Sequence, residues 1–254
     1  MASAIRQAHW AYSIWLPFTL LGVWQLAATA GWLDPLFFPP PSKLARAAVR
    51  QFLQGDLAFQ VYSTLTRSFL GFVAGTVAGL LCGAAMGLST RAHRSLEPLV
   101  SALYSTPKIT LLPMLMLLVG VGETSRLLII AAGCFILVAM HTLDGIASVD
   151  PHYVDMARNC GASRRVLFRR VYLPACTPQV FTGMRLAAGR GLVTTLSVEM
   201  VSAGEGLGNV ILHSWQTFST ERLYLAIILT ALLGASLHQS LRALEKRLIP
   251  WRKQ

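Results

Sequence analysis

The chain has 254 residues, 54% of them hydrophobic and 13% charged, with a mean hydropathy of +0.54. That balance is too apolar for a soluble domain of this length and indicates an integral membrane protein. The net charge of +11 does not call for a nucleic-acid partner, because the excess sits in short connectors beside an anionic lipid leaflet.

Spans of about 20 mostly apolar residues each are predicted at 12–31, 61–88, 97–118, 127–146, 179–202 and 223–243, giving an all-α membrane protein of six transmembrane helices in a single domain, 1–254. The first of them imitates a signal peptide, with Arg6 ahead of an apolar run and Ala28-Thr29-Ala30 after it. The run from Ala11 to Ala30 is longer than the about 7–15 residues of a signal core, so an uncleaved span is expected. Next, Pro39, Pro40 and Pro41 remove three backbone donors in succession and enforce a surface connector. Leu44 to Leu57 then alternates apolar and basic positions at helical spacing, as an interfacial helix in contact with lipid does.

The second span carries Gly71, Gly75, Gly79, Gly83 and Gly87, each four residues from the last. They fall on one slowly drifting helix face, and such a stripe lets another helix approach backbone to backbone. Ionisable groups inside later spans are costly and point to a cavity or a partner. Lys108, beside Pro107 in the third span, and Arg190 and Glu199 in the fifth are the candidates for a translocation path. Two cations would favour an anion. The alternatives are internal pairing, with Glu199 or Asp144 as the acid, or snorkelling to an interface. Arg185 lies nearer the cytoplasmic end and is expected to border the adjoining loop.

The polar connector 147–178 has the chemistry of two short helices meeting at a glycine corner. Asp150 is a good N-cap, Pro151 suits the first helical position, and Gly161 can take the left-handed conformation that ends a helix. Ser163 can cap a second helix through Arg164 to Arg170, limited by Pro174. An even number of spans puts both termini on one side. Arg6, Arg91, Arg94, the five arginines from Arg158 to Arg170, and Arg242, Lys246, Arg247, Arg252 and Lys253 share that side, against Lys43, Arg46, Arg50, Arg126 and Arg222 opposite. The richer side, with the connector and both termini, is expected in the cytoplasm.

Asp155-Met156-Ala157, three residues, Gly161, nine residues, then Val171-Tyr172-Leu173-Pro174 resembles the Glu-Ala-Ala loop of type I ABC importer permeases. The resemblance runs from about Phe38 to Arg247 and is greatest to the branch handling nitrate, sulfonates and taurine. Asp stands for the usual Glu, and Met156 for the first Ala. The external Ser202 to Gly208 stretch also resembles that branch's Gly-Leu-Gly segment and is expected to form a tight re-entrant turn. The resemblance implies a type I ABC importer permease fold with a cytoplasmic coupling helix, in a bacterial inner (plasma) membrane. It implies that Asp155, Met156, Ala157, Gly161, Ala162, Ser163, Leu173 and Pro174 dock on a separate ATP-binding subunit, present in two copies. It further implies a second permease, most simply an identical one, and a periplasmic or lipid-anchored solute-binding protein. The implied solute is a small anion, an aliphatic sulfonate or taurine before nitrate.

No nucleotide site is expected in the chain itself: the glycine-rich stretches lack a Gly-Lys-Ser/Thr ending, so ATP and Mg would be bound by the partner ATPase. Nor does the sequence offer catalysis or a metal site. It has no Gly-x-Ser-x-Gly elbow and no HExxH pair, and its four cysteines show no CxxC spacing. A membrane-embedded enzyme, and a channel or secondary carrier independent of an ATPase, are the competing readings.

Overall fold

In lipid, a spanning segment can satisfy its own backbone hydrogen bonds only as helix or closed barrel, and the long apolar runs of this chain take the first course. The computed structural model describes residues 2–202 and 204–249, the side chains of 2–14 and of Gln54 excepted. Ala203, Arg252 and Lys253 lie outside the described residues, as does the Arg6 side chain. Among the described residues every regular element is helical: α1 (Ala2–Thr29), α2 (Pro41–Gln54), α3 (Leu57–Leu88), α4 (Thr90–Ser105), a 3₁₀ turn (Lys108–Leu111), α5 (Leu112–Val119), α6 (Glu123–Ala147), α7 (Pro151–Asn159), α8 (Arg164–Leu167), a π-helical turn (Phe168–Tyr172), α9 (Leu173–Val201), α10 (Leu207–Gln216) and α11 (Thr220–Leu248).

Helices α3, α6 and α11 are each long and apolar enough to cross a membrane, and α4 with the segment after it would make a fourth span. The chain is therefore a multi-pass membrane protein. The stretch expected as one span at 97–118 is not straight, however: its two halves meet at 98°. Proline is the cause. Pro107 disfavours a helical residue before it, and Thr106 is extended with ψ 131°.

The opposite outcome holds at Pro174, which was expected to stop a helix. The chain stays helical from Arg164 to Val201. A π-helical turn precedes the proline, in which the Leu173 N–H reaches back five residues to the Phe168 carbonyl. Pro174 then occupies the first turn of α9, where a missing N–H is tolerated. The helix expected at Leu44 to Leu57 is α2, displaced toward Pro41 because proline suits the first helical position.

Helix α6 lies between α3 and α9, and glycines set both distances. A Cβ on Gly79 would sit 2.7 Å from the Phe135 carbonyl oxygen and 2.9 Å from the Val138 Cβ, and one on Gly87 would sit 2.8 Å from the Ile146 Cβ. Gly71 faces Ile130, while Gly75 and Gly83 lie against the carbonyls of Ala131 and Ala139. All five glycines of the stripe thus meet α6, which leaves no room for a side chain on α3 at those positions. On the other side, Gly183 of α9 lies against His141 and Gly191 against the Cys134 sulfur. The buried residues Ile130, Cys134, Val138 and Ala187 fill the seam. At the far end, Leu57, Leu207, Val210, Leu225 and Ala226 gather α3, α10 and α11 over Ala47 of α2.

Gly79→Leu should therefore destabilise the folded chain in detergent by about 1–3 kcal/mol or more, the cost of overpacking a rigid contact. Gly22→Ala, where an added Cβ meets nothing within 4 Å, should leave stability unchanged or slightly raised. Equilibrium unfolding of the two variants against the parent chain compares them directly.

Candidate functional site

Three arrangements carry the chain's polar chemistry. The most buried is a knot at the end of the glycine face of α3. Gln60, Thr64 and Arg67 continue that face at helical intervals, so the helix offers polar groups at one end and bare backbone along the rest. Arg67 is 5% exposed and its guanidinium pairs with Glu199 of α9, which is 1% exposed, and with Glu123 of α6 at 2.8 Å. Thr64 donates to the Glu199 carboxylate at 2.9 Å, and the Gly208 N–H donates to it at 2.9 Å. The Leu207 N–H donates to Thr64 at 2.8 Å, and Arg67 donates to the Glu205 carbonyl at 3.2 Å. Arg126 binds both Glu123, at 2.8 Å, and the Ser202 carbonyl, at 3.1 Å.

The knot explains the glycine-rich turn. Gly206 has φ +123°, and a Cβ there would collide with the Glu199 carboxyl group. Only glycine lets the chain cross the carboxylate and start α10 with its first N–H groups aimed at Glu199 and Thr64. Glu199 is thus committed to Arg67 and to backbone donors and takes no part in the cavity that holds Lys108 and Arg190. Sequence reading missed Arg67. The available signal was an arginine inside an apolar run with an unassigned buried acid elsewhere, but no spacing rule links residues so far apart in the chain.

The second arrangement is a cavity of about 220 Å³ between α4, α6 and α9, and it does bring Lys108 and Arg190 together. Lys108 begins the 3₁₀ turn after the Pro107 break, and its ammonium donates to the Tyr104 carbonyl at 2.8 Å. It also stands 5.6 Å from the centre of the Tyr104 ring. Arg190 projects from α9 near Thr194, and among the described residues its guanidinium has no hydrogen-bond or ion-pair partner. Neither cation pairs with Glu199 or Asp144. Arg185 instead binds Glu245 of α11 at 2.7 Å, where Glu245 is 2% exposed.

The third is the connector. Asp150 caps α7 by accepting from the His152 N–H at 2.9 Å, Gly161 turns the chain at φ +77°, and Ser163 caps α8 by accepting from the Val166 N–H at 3.4 Å. Val149, Val154 and Leu167 form a small core of their own, with Ala157, Ala162, Val171 and Tyr172 against it. Because those residues turn inward, Tyr153 and Met156 are left outside, each 64% exposed. Asp155, beside Arg158 at 3.7 Å, is exposed too, as are Gly161, Ser163 and Leu173, while Pro174 is half-buried. An exposed pair of that kind adds little stability, so Asp155 is available to a partner.

Comparison with known proteins gives a consistent result. Residues 75–250 match the family described as binding-protein-dependent transport system inner membrane component. The taurine transport system permease protein TauC of Escherichia coli (strain K12) is 34% identical over 237 residues, spanning 91% of this chain and 86% of that protein. The putative aliphatic sulfonates transport permease protein SsuC of the same organism is 32% identical over 247 residues, spanning 97% and 92%. The MetNI methionine ABC transporter, solved in inward-facing conformations, shares the fold, with a TM-score of 0.62 and 21% identity over 74% of this chain and 95% of that one.

Breaking the knot from one side should be costly, because the other charge stays buried. Arg67→Ala is expected to destabilise the chain by about 3–5 kcal/mol and to speed hydrogen exchange at the Leu207 and Gly208 amides, which bond to Thr64 and to the Glu199 carboxylate that Arg67 holds. Exchange at those amides equal to that of the parent chain would mean that the knot does not hold the turn.

Proposed function

Because this chain belongs to the family of binding-protein-dependent transport system inner membrane components, the ABC importer permeases, we propose that it forms the translocation path of an ATP-driven importer for a small anionic solute. An aliphatic sulfonate or taurine is the first assignment, as the names of the similar permeases suggest, and nitrate the second. In this reading a binding protein delivers the solute from outside. The chain is not an enzyme, and ATP and Mg are bound by a partner ATPase, two copies of which engage two permease chains, most simply identical ones. Six helices cross the membrane, those of α1 and α9 included, with both termini and the connector in the cytoplasm. Lys108 and Arg190 face the path.

The observation that carries the coupling part is the connector's division into an inward core and an outward face. A segment that only linked two spans would have no need of its own buried cluster of Val149, Val154 and Leu167, nor would it leave Tyr153 and Met156 in water. A preformed helix with an apolar tip suits insertion into a groove, since little ordering entropy is lost on binding. The π-helical turn ties that face to α9 without a flexible joint, so a push on α7 is passed into a membrane helix. ATP binding would bring two such connectors together and turn the cavity outward; hydrolysis would restore the inward state.

Met156→Asp and Gly161→Glu should each weaken binding of the partner ATPase by about tenfold or more, the loss expected for an interface anchor. Solute-stimulated ATP hydrolysis by the reconstituted complex should fall with it while helix content stays constant. Undiminished hydrolysis in both variants would show that the connector is not the transmission element.

A further inference from the structure

Resting on the permease reading, we propose that the cavity between α4, α6 and α9 is an anion site in which Lys108 and Arg190 jointly hold an oxyanion group of the solute. Filling it draws the Lys108 ammonium off the end of α4. The lining supports the first part. Among the described residues it contains two cations and no carboxylate, with Thr194 beside them and Ile136 and Leu137 as an apolar wall. Like charges on one cavity repel, and a low-dielectric wall focuses their field, so an anion between them relieves a repulsion that the Tyr104 carbonyl and ring offset only on the Lys108 side. Arg190 offers a planar fork and Lys108 a point charge with donors to spare, a pair suited to a group with several oxygens. At about 220 Å³ the cavity is smaller than the about 300 Å³ at which drug-sized ligand sites begin, which restricts it to a small solute.

The second part follows from what Lys108 now does. In an unbroken helix the Tyr104 carbonyl would accept from the Lys108 backbone N–H, four residues on. Pro107 turns the chain away, and the Lys108 side chain supplies the missing donor at 2.8 Å. The ammonium therefore caps the Tyr104 carbonyl at the end of α4, at the 98° break between α4 and α5. An anion in the cavity competes with that carbonyl for the same ammonium. Solute binding thereby alters the end of a helix at this 98° bend, which couples occupancy to the relative placement of α4 and α5.

Gly133 gives the site a control that leaves its charges in place. It lines the cavity, and a Cβ there would meet only the Thr194 hydroxyl oxygen, at 3.6 Å. Gly133→Leu should therefore fill the space without disturbing the packing of α6.

The test is the rate at which Lys108 is acylated by a small amine-reactive reagent, read by mass spectrometry on the full chain in nanodiscs of zwitterionic lipid. Ethanesulfonate at about ten times its half-saturating concentration should slow that reaction roughly tenfold, by mass action, and leave Lys43 and Lys246 unchanged. Arg190→Gln and Gly133→Leu should abolish the protection, and Arg190→Lys should keep part of it. Equal protection by methylammonium or ethanol, or full protection in Arg190→Gln, would overturn the site. Protection that needs no ethanesulfonate and depends on added phosphatidylglycerol would assign the cavity to a lipid headgroup and overturn the solute assignment. ATP-driven ethanesulfonate uptake by the complete complex separates the two readings. Protection without uptake refutes the importer assignment and leaves the site standing. Uptake that is unchanged in Lys108→Gln and Arg190→Gln refutes the site and leaves the importer assignment standing.

Discussion

The close approach of α3 to α6 is the contact on which the rest of this structure depends. In lipid there is little hydrophobic gain in bringing two apolar helices together, so association relies on van der Waals contact and on hydrogen bonds formed across the seam. Five glycines at intervals of four residues supply the first by removing every side chain from one face of α3. Gln60, Thr64 and Arg67 supply the second where the stripe ends. One helix thereby carries both adhesive devices on a single face, and α6, held on its other side by α9, becomes the axis of the fold.

The polar end of that face has a cost that accounts for its completeness. A buried arginine and a buried glutamate are expensive to desolvate, and their attraction offsets the expense only if every remaining hydrogen-bonding position is filled. Here Glu199 accepts from Arg67, from Thr64 and from the Gly208 backbone, and Arg67 is shared with Glu123. The turn before α10 is part of the knot because it brings the backbone donors. Its glycines serve a carboxylate of the same chain. That explains a glycine-rich segment opening a helix with no phosphate to bind.

Two departures from straight helix lie away from this rigid centre, and both are caused by proline. At Pro107 the helical axis turns through 98°, and a lysine side chain replaces the backbone donor that the turn removes. Before Pro174 the helix makes a single π-helical turn, its hydrogen bond reaching back five residues instead of four, and continues. The difference lies in what surrounds each proline. Pro174 follows a helical run packed on the Val149, Val154 and Leu167 core, which keeps the chain in line; Thr106 and Pro107 are extended and only lightly covered. The centre thus gives a fixed frame, with a continuous lever at one end and a break at the cavity.

Much of this was legible in the sequence, for reasons that are local. Helix, apolar span, glycine stripe, the caps at Asp150 and Ser163, and the left-handed corner at Gly161 all follow from spacing within a few residues, where sequence distance and spatial distance agree. The pairing of Lys108 with Arg190 in one cavity was within reach only as a shared preference for anions. What the sequence could not supply was which charge meets which. Glu199 had two basic residues as formal candidates, Lys108 and Arg190, and its partner is Arg67, 132 residues away and hidden in a run that reads simply as apolar. Nor could it show that Pro174 would be absorbed while Pro107 would break the chain, since the same residue type is present at both. Those outcomes depend on which helix faces abut, and that is decided when α3 and α9 close on α6, by packing between segments far apart in the chain.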